Sequence, residues 1–124
     1  MATIKPFQAL RPRKDLAEKI AALPYDVYSR EEAREVVKKN PFSFLKIDRA
    51  ETQLDENIDI YSEKVYQCAA DTLNHMFDKG ELQQEKTPCF YIYELTMDGR
   101  VQTGIGACAA VKEYERQIIK KHEN

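Results

Sequence analysis

Asp98-Gly99 stands between two apolar runs, CFYIYEL (89–95) and VQTGIGACAAV (101–111). A two-residue Asp-Gly connection accepts positive φ at both positions, the geometry that turns one strand back onto its neighbour. The dipeptide therefore predicts an antiparallel hairpin at about 89–111. The second run carries Gly104, Gly106, Ala107, Ala109 and Ala110. Small residues there admit either a closely packed backbone or the close approach of a helix or ligand.

Helix signals fill the rest of the chain. Asp15 and Glu18 have the form of a capping sequence for a helix at about 16–22, which Pro24 stops. Ser29 and Glu32 form a capping box for a helix at about 30–39, with Ala33, Val36 and Val37 as its apolar stripe. Tyr61, Val65, Cys68, Ala69, Thr72 and Met76 recur at helical spacing over about 60–78, and Gly80 is placed to close that helix in a left-handed cap. On this pattern the long helix is expected to lie flat on a sheet. A last helix is expected at about 112–119, with Tyr114 and Ile118 on one face. TIKPFQAL (3–10) reads as an edge strand because Pro6 cannot donate to a ladder. FSFLKI (42–47) reads as a strand buried on at least one face, and DRAETQLDENI (48–58) as a mobile polar loop. The sum is an α/β (α+β) single domain with a mixed sheet.

With 124 residues, the chain has one domain's length. Lys plus Arg is 19 against 21 Asp plus Glu, a balance that argues against a nucleic-acid partner. The longest apolar runs fall well short of a membrane span, and no membrane partner is expected. The N-terminal stretch lacks an apolar segment of signal-peptide length, so the expected compartment is the cytoplasm. Cys68, Cys89 and Cys108 show no paired spacing and sit in apolar contexts, which predicts buried free thiols.

No phosphate loop, GxGxxG turn, HExxH or GxSxG elbow occurs. Arg11, Arg13 and Lys14 cluster beside an expected helix start, as an anion subsite or as a solvated turn. Tyr25-Asp26 occupies the connection between two helices. There Asp26 can bind Mg²⁺, orient a base, or cap backbone N–H groups in the turn. His75 reads as a surface or boundary residue. Lys120-Lys121-His122-Glu123 combines cations, an imidazole and a carboxylate, a set suited to proton transfer or equally to a polar tail.

Five separated strings, IKPFQALRPR, PYDV, NPFSFL, FYIYELTMDGRVQTG and IIKKHE, occur in this order. Together they resemble the domain-of-unknown-function family 1015 of bacteria and archaea, over essentially the whole chain. Members of that family are considerably longer, so the resemblance implies the N-terminal part of a longer protein. The family's C-terminal region would then be a partner of this part. Family members resemble neighbours of serine-biosynthesis genes, which points to phosphoserine or a related phosphorylated metabolite. The matched polar positions are Arg11, Tyr25, Asp26, Asn40, His122 and Glu123. By the chemistry of these matched positions, Arg11, Tyr25 and Asn40 are expected to bind an anionic small molecule. Asp26 becomes a metal ligand or orienting carboxylate, with Mg²⁺ the candidate cofactor, and His122 and Glu123 the acid/base pair.

Two functions follow as expectations. The first is an enzyme, or part of one, that acts on a small phosphorylated metabolite or transfers a phosphoryl group. The alternative is a non-catalytic ligand-binding or protein-interaction module. An exposed apolar patch would support the second and would also allow a homodimer.

Overall fold

Local signals and tertiary constraints divide the work of folding this chain. The computed structural model describes residues 2–120. The fold is mixed α/β, with helices and small antiparallel sheets. By contacts the chain divides into two compact units, Arg11–Gln83 and Met1–Leu10 with Gln84–Asn124.

The first unit is mostly helical. It contains α1 (Ala17–Ile20), α2 (Arg30–Lys39), α3 (Leu45–Asp48) and α4 (Glu63–Asp78), with 3₁₀ turns at Tyr25–Val27 and Ala50–Gln53. The capping box of α2 forms as its sequence requires: Ser29 Oγ accepts from Glu32 N, and Glu32 Oε2 accepts from Ser29 N. Gly80, at φ +68, closes α4. Its N–H donates to Phe77 O and the Glu81 N–H to Met76 O, the paired bonds of a Schellman cap. The expected Asp15 cap does not form. Asp15 instead accepts a bidentate pair from Arg13, at 2.6 and 3.1 Å, and α1 starts one residue later, at Ala17, without a side-chain cap.

Leu16, Ile20, Met76 and Leu82 make the buried cluster of this unit, with Phe42, Phe44, Ile47 and Leu73 packed against it. The segment 42–47 is not a strand. Ser43 Oγ accepts from Leu45 N, and Ile47 N donates to Phe44 O, so the run coils into α3. A short apolar run fits a buried helix turn as well as a strand, and the neighbouring helices decided between them. Accordingly, among the described residues α4 packs chiefly on α3 and on the turn at Ala50–Gln53 rather than flat on a sheet.

Residues 48–58 are likewise more ordered than their polarity predicts. Arg34 of α2 donates to the carbonyls of Glu51, Thr52, Leu54 and Asp55 at 2.9–3.2 Å. Ala50, Glu51 and Thr52 are buried as a result. One guanidinium supplies the backbone partners that a loop would otherwise take from water.

The second unit holds the strands β1 (Ile4–Lys5), β4 (Tyr91–Met97), β5 (Arg100–Gly106) and β6 (Cys108–Ala109), and the short helix α5 (Val111–Glu115). The β2 (Leu10–Pro12) and β3 (Leu82–Gln84) strands pair with each other. Among the described residues the expected mixed sheet is realised as three two-stranded sheets, β1–β6, β2–β3 and β4–β5. The hairpin forms as expected: Asp98 has φ 51 and Gly99 φ 75, and Met97 lies opposite Arg100. A Cβ on Gly106 would meet Tyr91 Cβ at 3.5 Å, an ordinary contact within the hairpin. The close approach of another element is therefore not what these glycines serve among the described residues. The phenol of Tyr91 donates to Phe7 O and accepts from Ala9 N, and its ring lies 4.9 Å from that of Phe7. All three cysteines are free. Cys68 and Cys89 are half-buried and Cys108 is exposed, so the thiols are less enclosed than their apolar neighbours predict.

Candidate functional site

Pro24 fixes the backbone ahead of the 3₁₀ turn that carries Tyr25 and Asp26, and Val27 N donates back to Pro24 O. Arg49 holds this turn from the other side. Its Nη1 donates to Tyr25 O at 3.2 Å and to Tyr28 O at 3.0 Å, while its Nε donates to Glu51 Oε1 at 2.6 Å. These contacts form one wall of a cleft of about 480 Å³ lined by Tyr25, Asp26, Asp48, Arg49, Tyr61 and Tyr66, among others. Asp48, Arg49, Tyr61 and Tyr66 had no functional reading in the sequence. The Arg49–Glu51 spacing was the available signal, but it sat inside a segment read as loop.

The electrostatics of this cleft disfavour an anion. Arg49 is already engaged by Glu51 and two carbonyls, which leaves Asp26 and Asp48 as an excess of negative charge. Asp48 stays accessible, yet the cleft walls strip part of its hydration and raise its pKa above the ordinary value near 3.8. The sign follows from linkage. The folded state holds this proton more tightly than the unfolded chain, so ionising Asp48 at neutral pH opposes folding. Asp48→Asn is expected to raise the melting temperature at pH 7, and the gain should vanish below about pH 3.8, where both states are protonated. A variant less stable than the parent at pH 7 would contradict this assignment.

The other sequence-selected residues do not gather in this cleft. Arg11 is exposed on β2. Arg13, its neighbour in the basic cluster, is committed to Asp15, whose carboxyl it holds below the usual carboxylate range. Asn40 ends α2 with both halves of its amide in use: Nδ2 donates to Lys19 O at 2.6 Å, and Oδ1 accepts from Phe42 N at 3.2 Å. Its surroundings here are those of a helix stop. His122 and Glu123 lie outside the described residues. Among the described residues no three His, Cys, Asp or Glu side chains converge as metal ligands.

A second, larger groove of about 650 Å³ runs along α4. Lys64, Cys68, Asp71, Thr72 and His75 line it from α4, at spacings that put them on one helical face. Lys46 of α3 and Gln53 form the opposite wall. Gln53 Nε2 ties the two walls together, donating to Lys46 O at 2.9 Å and to Thr72 Oγ1 at 3.0 Å. Thr72 in turn donates to Cys68 O at 2.7 Å. Lys64 and His75 lie about 16 Å apart along the helix axis, so the groove is elongated. Two lysines and a histidine thus line the groove together with one carboxylate, Asp71, whose Oδ1 already accepts from Gln67 at 2.8 Å. Lys46 joins this set only because residues 42–47 coil. In a strand its direction would be unrelated to α4, and for that reason the groove was not legible in the sequence.

Comparison with known proteins found no match among curated proteins and none among solved structures. A family model described as "Protein of unknown function (DUF1015)" matches residues 4–124. That span contains all five strings quoted above, and the chain belongs to the DUF1015 family.

Proposed function

We propose that this chain binds a small anionic molecule of the phosphorylated-metabolite class in the groove between α3 and α4. One observation carries the reading: Lys46, Lys64 and His75 line a single open groove that holds one carboxylate. Ammonium groups bind phosphate as point charges. The site therefore lies away from Arg11 and Asn40, though the class of ligand is the one expected from the sequence. The enzymatic form of the expectation, phosphoryl transfer with His122 and Glu123 as the acid/base pair, is a separate reading that this groove does not carry.

The test is titration of the isotope-labelled chain with inorganic phosphate and with O-phosphoserine. Amide shifts are expected at Lys46, Thr72 and His75, with Arg11 and Asp26 unmoved. Lys46→Ala and Lys64→Ala should each weaken binding about tenfold, the loss of one charge-assisted contact. A folded spectrum with no shifts along α4 would refute the reading. The protein-interaction alternative draws on a different observation, the exposed apolar side chains of β4 and β5.

A further inference from the structure

The unit containing the hairpin has no buried side chain among its described residues. Its β4 and β5 strands carry Ile92 at 81% exposure, Ile105 at 73%, and Tyr93, Leu95, Met97 and Val101 also exposed. Both strands pair only with each other, so each has an open edge among the described residues. A lone two-stranded ribbon is marginal in water, and an open edge is a template for another strand. Natural edges are commonly guarded by Lys or Pro. Neither residue occurs in β5, whose sequence is RVQTGIG.

The two edges differ in what they accept. The turn is closed by the pair Met97–Arg100. Counting outward from that pair by the alternation of an antiparallel ladder, the N–H and C=O groups of Val101, Thr103 and Ile105 point away from β4. On β4 the outward groups are those of Ile92, Glu94 and Thr96. Consider each edge meeting itself across a two-fold axis at its middle residue. For β4 this sets Glu94 directly against Glu94 of the second copy, a like-charge pair. For β5 it sets Thr103 against Thr103, Val101 against Ile105 and Ile105 against Val101. Those are hydroxyl and β-branched pairs of the kind that stabilise sheets, and all three outward residues exchange backbone bonds. Arg100 falls opposite Gly106, with no charge facing it. The two Glu94 carboxylates end three strand spacings apart, about 14 Å, beyond the screening length at moderate salt.

We infer that β5 is a homodimerisation edge, which joins two copies of this chain into a four-stranded antiparallel sheet β4–β5–β5–β4 centred on Thr103. The interface is isologous, so the residue on the axis meets itself. That property defines the test. By sedimentation the unmodified chain should show a monomer–dimer equilibrium. Thr103→Lys and Thr103→Glu should each weaken dimerisation by about tenfold or more, because each places like charges on the axis. Mixed in equal amounts, the two variants should associate with each other.

A chain that stays monomeric at high concentration overturns the inference; its apolar faces are then covered by another segment or partner. Variants that dimerise as well as the parent overturn it too, because the contact then lies elsewhere. Hydrogen exchange on the unmodified protein gives a readout free of any folding defect in the variants. Dimer formation should protect the amides of Val101, Thr103 and Ile105 and leave those of Ile92, Glu94 and Thr96 unchanged. Equal protection of both edges, or of neither, counts against the proposal.

Discussion

Arg49→Met is expected to lower the stability of the helical unit by about 3–5 kcal/mol, among the largest losses a single substitution can cause here. Glu51 is 5% exposed and its partner Arg49 18% exposed, joined at 2.6 Å. Removing the guanidinium leaves a carboxylate in a site with little water, and the penalty is that of an uncompensated buried charge. The loss extends beyond the pair. The same guanidinium holds the carbonyls of Tyr25 and Tyr28, so the turn presenting Asp26 should loosen as well. The double replacement Arg49→Met with Glu51→Met removes both charges and should recover most of the stability, since an apolar pair avoids the desolvation cost. Urea unfolding of the three proteins measures this. An Arg49→Met protein within about 1 kcal/mol of the parent would mean that Glu51 reaches solvent or another cation.

The second large effect is expected at Leu45, with no exposed surface at all. Leu45→Ala should cost about 2–5 kcal/mol, from lost transfer energy plus the cavity left where α3 meets α2, α4 and the turn at Ala50–Gln53. The neighbouring Lys46→Ala should stay within about 0.5 kcal/mol of the parent, because its side chain faces the open groove. The contrast tests the conformation of residues 42–47. In a half-buried strand carrying Phe42 and Phe44 on its inner face, Leu45 would point outward and its truncation would be mild. A small effect at Leu45 therefore contradicts the helical assignment. It would also undermine the groove, whose far wall depends on that helix.

Several elements were legible from neighbouring residues alone. The hairpin turn follows from Asp98-Gly99, because only a few residue types accept positive φ at both positions. The start of α2 follows from Ser29 and Glu32, and the end of α4 from Gly80. In each case the donor and acceptor lie within five residues of one another, so the sequence contains the whole interaction. Asp15 shows how even a local signal can lose. Its carboxylate had a closer and stronger partner in Arg13 than the helix N–H groups offered.

The candidate site was less legible because its parts are distant in the chain. Tyr25 and Asp26 line their cleft from a connection between two helices, but their companions Asp48 and Arg49 arrive from over twenty residues away. Asn40 looked chemical in the sequence, and the fold uses both ends of its amide to stop a helix. His75 was read as a surface or boundary residue, and it is exposed. Its place in the lining of the groove that also holds Lys46 and Lys64 is what makes it a candidate ligand contact.

The sequence by itself determined the hairpin, the caps and the helical periodicity of α2 and α4, since each is set by backbone geometry and hydrogen bonds within a turn or two. The tertiary structure decided that residues 42–47 coil and that 48–58 are held in place. Both outcomes depend on groups that no local pattern reveals, such as the Arg34 guanidinium bonding carbonyls 17 to 21 residues ahead. A buried backbone carbonyl must find a donor, and where that donor stands in the chain is a property of the packed structure.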